Sequence, residues 1–202
     1  MKIGREKTLF KSLSPDLEEH VDCSLSEIRR AIAEVDWPEG SGNFTVYPEK
    51  NANGVKPIKA KCMSYLQECG WVLEERMKIT GENRPGPIDA VKPINNQRYI
   101  ALEWETGNIS SSHRAVNKMA VGLLKGMLIG GILILPSRKL YNFLTDRIGN
   151  FQELEPYFIV WEHLTIDQGF LAIIEIEHDE VSEAVPKIPK GTDGWAKHQK
   201  RG

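Results

Sequence analysis

Cysteine is scarce in this 202-residue chain: Cys23, Cys62 and Cys69 are the three present, and none stands in a C-x-x-C spacing. An odd count without that spacing indicates neither a disulfide framework nor a zinc site, and reduced thiols in a cytoplasmic protein are the simplest account. The opening residues, MKIGREKTLFKSL, lack the long apolar core of a secretory signal. There is no P-loop, no G-x-G-x-x-G and no Ser-His-Asp set, which removes the common phosphate-cradling and triad chemistries. Internal repeats are absent. Long hydrophobic runs are also scarce. The one segment that imitates a membrane span, Met119 to Leu135, contains Lys125 and is interrupted by Gly126, Gly130 and Gly131. A helix ending near Lys125, followed by a buried strand over Leu128 to Leu135, explains it better.

What remains is an ordinary globular composition, 41% hydrophobic and 27% charged, enough for one domain over 1–184 with an extended arm over 185–202. The net charge of −2 is unevenly distributed. Residues 109–150 carry six Lys/Arg and one Asp, residues 151–184 carry nine acidic residues and no Lys or Arg, and the arm carries five Lys/Arg and one Asp. Such sorting permits a basic surface on a mildly acidic protein, although charge runs are usually solvated faces.

Pattern and punctuation predict a helix over Leu17 to Val35, with a possible second start at Ser24, then a short strand in NFTVYP and a second helix over Pro57 to Met77 whose inner face holds the cysteines. PIDAVKPI and QRYIALEWET read as a pair of strands joined across Asn95-Asn96. A helix from about Ser110 to Lys125, the buried strand, and a helix from Ser137 through Asp146 and Arg147 follow. Phe151 to Leu164 is ambiguous between helix and strand around Pro156, and GFLAIIEIEHD is a strand. The order predicts a mixed α/β fold with a central sheet flanked by helices.

The chemistry concentrates in LEWETGNISSSH, Leu102 to His113. Glu103 and Glu105 share one strand face while Leu102 and Trp104 share the other. For an isolated E-x-E a solvated edge strand is the ordinary reading. Pro87-Ile88-Asp89 shifts the balance, because a carboxylate on the preceding strand lets three carboxylates converge at one end of a hairpin. That is a hard-oxygen site of the kind Mg²⁺ uses, and Glu74, on the helix before, could add a fourth.

The set P-D…(D/E)-x-K is familiar among nucleases, with Glu105 standing here where Lys is usual. The run PID, EWETGNISSSHR, FLTDR, NFQELEPYF and PKGTDG resembles the BamHI family of type II restriction endonucleases from about NFTVYP through the tail; the first forty residues match weakly. The resemblance implies a restriction-endonuclease-like core and makes Asp89, Glu103 and Glu105 the catalytic set. Asp89 and Glu103 would hold divalent cations, with Glu74 on a second metal and the Trp104 carbonyl a further donor; the Trp104 side chain reads as core packing. Glu105 would orient or deprotonate the attacking water. The expected cofactor is Mg²⁺, two per active site, with Mn²⁺ a substitute.

For DNA binding, the resemblance points to Asn108, Ser110 and Arg114 at the helix start, to Asp146 and Arg147 as major-groove readers, to Lys59 as a water-mediated or phosphate contact, and to Asp193 in an arm entering the minor groove. Without it, Asn108 and Ser110 would be helix caps and Asp146–Arg147 a local ion pair. His113 is expected to cap or pack. The implied activity is Mg²⁺-dependent cleavage of double-stranded DNA at the palindrome GGATCC by a homodimer, with a cognate methyltransferase acting on the same site. Matching the sequences places Lys125 opposite Glu162 of the partner subunit. Two alternatives stay open: a catalytically inactive DNA-binding protein of the same fold, and a nonspecific metal-dependent nuclease.

Overall fold

Two nine-residue runs, Leu128–Pro136 and Gly169–Glu177, are buried at every position and lie side by side as parallel strands. Burial on both faces is why Leu128–Pro136 reads as a continuous apolar stretch, whereas in the second run Glu175 and Glu177, both buried, alternate with Ile174 and Ile176. The computed structural model describes residues 1–81, 83–94, 98–145 and 148–190. The expected Asn95-Asn96 turn, Asp146, Arg147 and Asp193 lie outside the described residues.

In chain order the elements are β1 (Lys2–Ser12), α1 (Pro15–Ala33), β2 (Thr45–Val46), α2 (Lys56–Glu68), β3 (Val72–Glu75), β4 (Ile88–Pro93), β5 (Tyr99–Trp104) and α3 (Ile109–Leu124). They continue with β6 (Leu128–Pro136), α4 (Arg138–Tyr141), α5 (Phe151–Leu154), a 3₁₀ turn at Glu155–Tyr157, α6 (Phe158–Glu162), β7 (Gly169–Glu177) and β8 (Glu180–Val181). Six strands form a mixed sheet in the order β1-β7-β6-β5-β4-β3, in which β5, β6 and β7 run parallel and the outer pairs antiparallel. One core packs α1 and α2 on the sheet, and a second packs α3, α5 and α6 on its other side. The fold is the expected mixed α/β arrangement.

Helix α3 ends as its glycine demands. Gly126 adopts φ +66°, and the Gly126 and Met127 amides close the last turn on Leu123 and Gly122. No helix among the described residues is long and apolar enough to cross a membrane. Gly131 lies where α3 meets the sheet, and a β-carbon there would stand 2.8 Å from Met119 Cβ.

Four expectations change. The helix expected over Pro57 to Met77 stops at Glu68, because Gly70 at φ +84° turns the chain and Val72 starts strand β3. Glu74 is therefore on a strand, not a helix. The helix from Ser137 covers only Arg138–Tyr141. No second start occurs at Ser24, which is buried within a continuous α1. The N-terminal segment forms an eleven-residue edge strand that the pattern did not reveal; two register shifts break its alternation and leave it mostly exposed.

Cys62 lies on the inner face of α2, where burial pushes its thiol up to about 12, so it packs as an inert apolar group. The ambiguous stretch after Asn150 is helical, with Pro156 in the 3₁₀ turn. The first part of the arm lies against the body: Trp37 Nε1 donates to the Pro186 carbonyl at 2.7 Å, the Gly54 amide donates to Ile188 O at 2.9 Å, and Ile188 is buried.

Candidate active site

Strands β4 and β5 pair Ala90 with Leu102 and Val91 with Ala101, so one step further along Asp89 faces Glu103. Opposed residues on antiparallel strands hold their β-carbons about 4.5–5.5 Å apart, and both carboxylates are drawn into the hairpin end. Each takes a backbone N–H from the opposite strand. The Trp104 amide donates to Asp89 Oδ2 at 2.7 Å, and the Asp89 amide donates to Glu103 Oε2 at 3.3 Å. The indole of Trp104 is buried in the core with Leu102, on the other side from Glu103, as alternation requires.

Two lysines complete the shells. Lys59, from α2, donates to Asp89 Oδ1 at 2.5 Å, and Lys118, from α3, donates to Glu103 Oε1 at 2.8 Å and to the Pro87 carbonyl at 3.3 Å. Lys59, expected as a water-mediated or phosphate contact, here forms an ion pair with a proposed metal ligand. Lys118 was not foreseen at all. Its signal is helical spacing: it stands one turn beyond Arg114 and lines the same cavity.

That cavity, of about 700 Å³, is bounded by Glu103, Glu105, Ser110, Arg114 and Lys118, with Pro87 at its edge. Burial holds the Glu103 carboxyl above the ordinary carboxylate range, and the neighbouring Asp89 adds to this against the opposing pull of Lys118. Burial raises Glu105 likewise, while its Oε1 accepts the Gly107 amide at 2.6 Å. A site that disfavours two adjacent negative charges and offers hard oxygens has the donor chemistry of a divalent-cation site. The oxygens are not fully gathered: among the described residues no group of three acidic, His or Cys side chains is close enough together to hold an ion. Glu74 is exposed at φ +55° on β3, where the pairs Leu73–Ala90 and Glu75–Ile88 set it alongside Asp89.

The chain leaves β5 through Gly107, whose carbonyl accepts the Gly149 amide at 2.8 Å, and enters α3 at Asn108. The Asn108 side chain accepts the Ser111 amide at 3.2 Å, so it does cap the helix. Asn108, Ser110 and Arg114 are all exposed, and the last two face the carboxylate cavity. His113 packs edge-on against Tyr157 with ring centres 4.6 Å apart, a packing role as expected.

Comparison with known proteins accords with this geometry. Residues 1–195 match the family model described as restriction endonuclease BamHI, a span that includes the first forty residues. The chain is 59% identical over 196 residues to the type II restriction enzyme OkrAI of Oceanobacter kriegii, covering 97% of this chain and 99% of that one. It is 40% identical over 184 residues to the type II restriction enzyme BamHI of Bacillus amyloliquefaciens, covering 88% and 84%. Its fold resembles that in the crystal structure of restriction endonuclease BglII complexed with a DNA 16-mer, with a TM-score of 0.64 at 10% identity, over 89% of this chain and 79% of that one. A paired-carboxylate hairpin feeding a capped, exposed helix start, on a chain matched nearly from end to end, places this protein in the BamHI family of type II restriction endonucleases.

Proposed function

We propose that the protein cleaves double-stranded DNA at GGATCC as a Mg²⁺-dependent homodimer. The observation that carries the reading is the approach of Asp89 to Glu103, which lines the same cavity as Ser110 and Arg114. Asp89 and Glu103 would hold the ion, with Glu74 and the Trp104 carbonyl as further donors. When bound, Mg²⁺ (or Mn²⁺) supplies charge neutralisation at the scissile phosphate and a nucleophile available at neutral pH.

The chain's own residues do the rest. Glu105, with one oxygen on the Gly107 amide, orients the attacking water and takes its proton; burial raises its proton affinity, which makes it a stronger base than an exposed carboxylate. The N-terminal turn of α3 presents Asn108, Ser110 and Arg114 to base edges, where Arg suits guanine O6 and N7 and Asn can satisfy paired donor and acceptor positions. Asp146, Arg147 and Asp193 extend this reading set from outside the described residues.

A palindrome is matched by a two-fold enzyme. Exposed apolar side chains at Tyr157, Ile159 and Val160 support self-association through that face. A host making such an enzyme needs a methyltransferase acting on the same sequence. The alternative of an inactive DNA-binding relative would call for a missing carboxylate, yet Asp89, Glu103 and Glu105 are all present. A nonspecific nuclease would need no Asn, Ser and Arg at the helix start. Discrete plasmid fragments in the presence of Mg²⁺ are the expected result; a smear points to a nonspecific nuclease, and binding without cutting to an inactive relative.

A further inference from the structure

Both oxygens of Asp89 and of Glu103 are used in the same way, one by a backbone amide and the other by a lysine ammonium. The two lysines come from α2 and α3, which cover opposite faces of the sheet. Neither ion pair is well screened by water: side-chain exposure is 23% and 13% for Lys59–Asp89, and 20% and 12% for Lys118–Glu103. We propose that Lys59 and Lys118 are built-in counter-cations of the carboxylate pair, and that a divalent ion binds by displacing them. This rests on the metal-dependent reading of the site.

The argument is electrostatic and steric. Mg²⁺ sits about 2.0–2.1 Å from its oxygen ligands. Lys59 Nζ already stands 2.5 Å from Asp89 Oδ1, and Lys118 Nζ 2.8 Å from Glu103 Oε1. A second cation on the same oxygen would be held within a few ångströms of the first in a poorly screened setting, where like charges repel strongly. The ammonium must swing away. For Lys118 a place to go is at hand, because it lines the cavity shared with Glu105 and Arg114, where a phosphate group would bring fresh negative charge. The lysines thus keep the pair neutralised without metal and set metal affinity low until a polyanion takes the ammonium over.

The test is a calorimetric titration of the full chain with Mn²⁺ alone, without DNA, beside a thermal melt of each variant. Lys118→Met and Lys59→Met are each expected to bind Mn²⁺ on the order of tenfold more tightly than the unaltered chain, the scale on which a nearby charge shifts ion binding at such sites. Lys118→Arg, which keeps the charge, is expected to stay near the unaltered affinity. Met variants that melt cooperatively but bind no more tightly overturn the inference, as does an Arg variant that gains as much as Met. Should one Met variant fail to fold, the other carries the comparison. If the unaltered chain and every variant fail to bind Mn²⁺ even at millimolar concentration, the metal reading of the site falls instead.

Discussion

Glu103 is held in an environment that resists its charge: burial first, then the neighbouring Asp89, outweigh the favourable Lys118. The folded chain therefore keeps this proton to a higher pH than the unfolded chain does. Its contribution to stability is greatest below the ordinary carboxylate range and declines as pH rises through the raised folded value. Glu103→Gln, similar in shape and uncharged, should raise the melting temperature of the metal-free protein at pH 7 by about 2–4 °C and flatten the loss on the alkaline side of that window. An unchanged or lower melting temperature would show that the Lys118 pair matters more than burial. Glu103→Ala should lower cleavage by ~10²–10³ or more while leaving specific DNA binding largely intact, since on the proposed function it removes a metal ligand and no base contact. Near-normal turnover in a plasmid assay would take Glu103 out of the site. Glu177 behaves oppositely. Burial raises its proton affinity, but hydrogen bonds from His178 and Ser137 outweigh that and lower it, so its contribution is present at neutral pH and lost on acidification.

At the scale of elements, α3 is the proposed link between chemistry and recognition, because its first turn borders the carboxylates and its body packs on the sheet. Arg114→Ala should cost about 1–3 kcal/mol of discrimination at the base pair it reads, measured as the ratio of cognate to random-sequence affinity. Equal losses on both sequences would make Arg114 a backbone contact. The segment before α2 provides a different test. A β-carbon on Gly54 would stand 2.0 Å from the Pro189 carbonyl, backbone against backbone. Gly54→Ala should therefore push the 186–189 segment off the body, with limited proteolysis cutting earlier in the C-terminal region than in the unaltered chain. An unchanged digestion pattern would mean that the segment yields without detaching.

At the scale of the whole molecule, the expected charge pairing across the dimer has local competitors. The Lys125 ammonium donates to the Ile79 carbonyl at 2.7 Å, and Glu162 pairs with Lys7 at 2.5 Å within the same chain. Exposed ion pairs contribute only ~0–1 kcal/mol, so in the proposed dimer apolar contact would have to carry the interface. Ile159 and Val160, about 60% exposed at 59% and 61%, are suited to that role. Sedimentation should show Ile159→Asp weakening self-association far more than Lys125→Glu or Glu162→Lys. If the double charge reversal recovers what each single reversal loses, Lys125 and Glu162 do meet; if Ile159→Asp leaves association intact, the interface lies elsewhere.

Local order was legible wherever a strong period or a stop signal governed it. The apolar runs of β6 and β7, the Asn108 start and Gly126 stop of α3, and the Asp89, Glu103 and Glu105 hairpin follow from alternation, capping and glycine geometry, which act over a few residues. The end of α2 was not legible, because its apolar positions run on into β3 and only Gly70 marks the break. Strand β1 was hidden because an irregular edge strand carries little buried side-chain pattern. The ion pairs of Lys59 and Lys118 were beyond reach for a stronger reason. Each joins residues from separate elements, α2 with β4 and α3 with β5, and which ammonium meets which carboxylate is set by how those helices pack on the two faces of the sheet. The carboxylates come from local sequence, and the cations beside them come from tertiary packing.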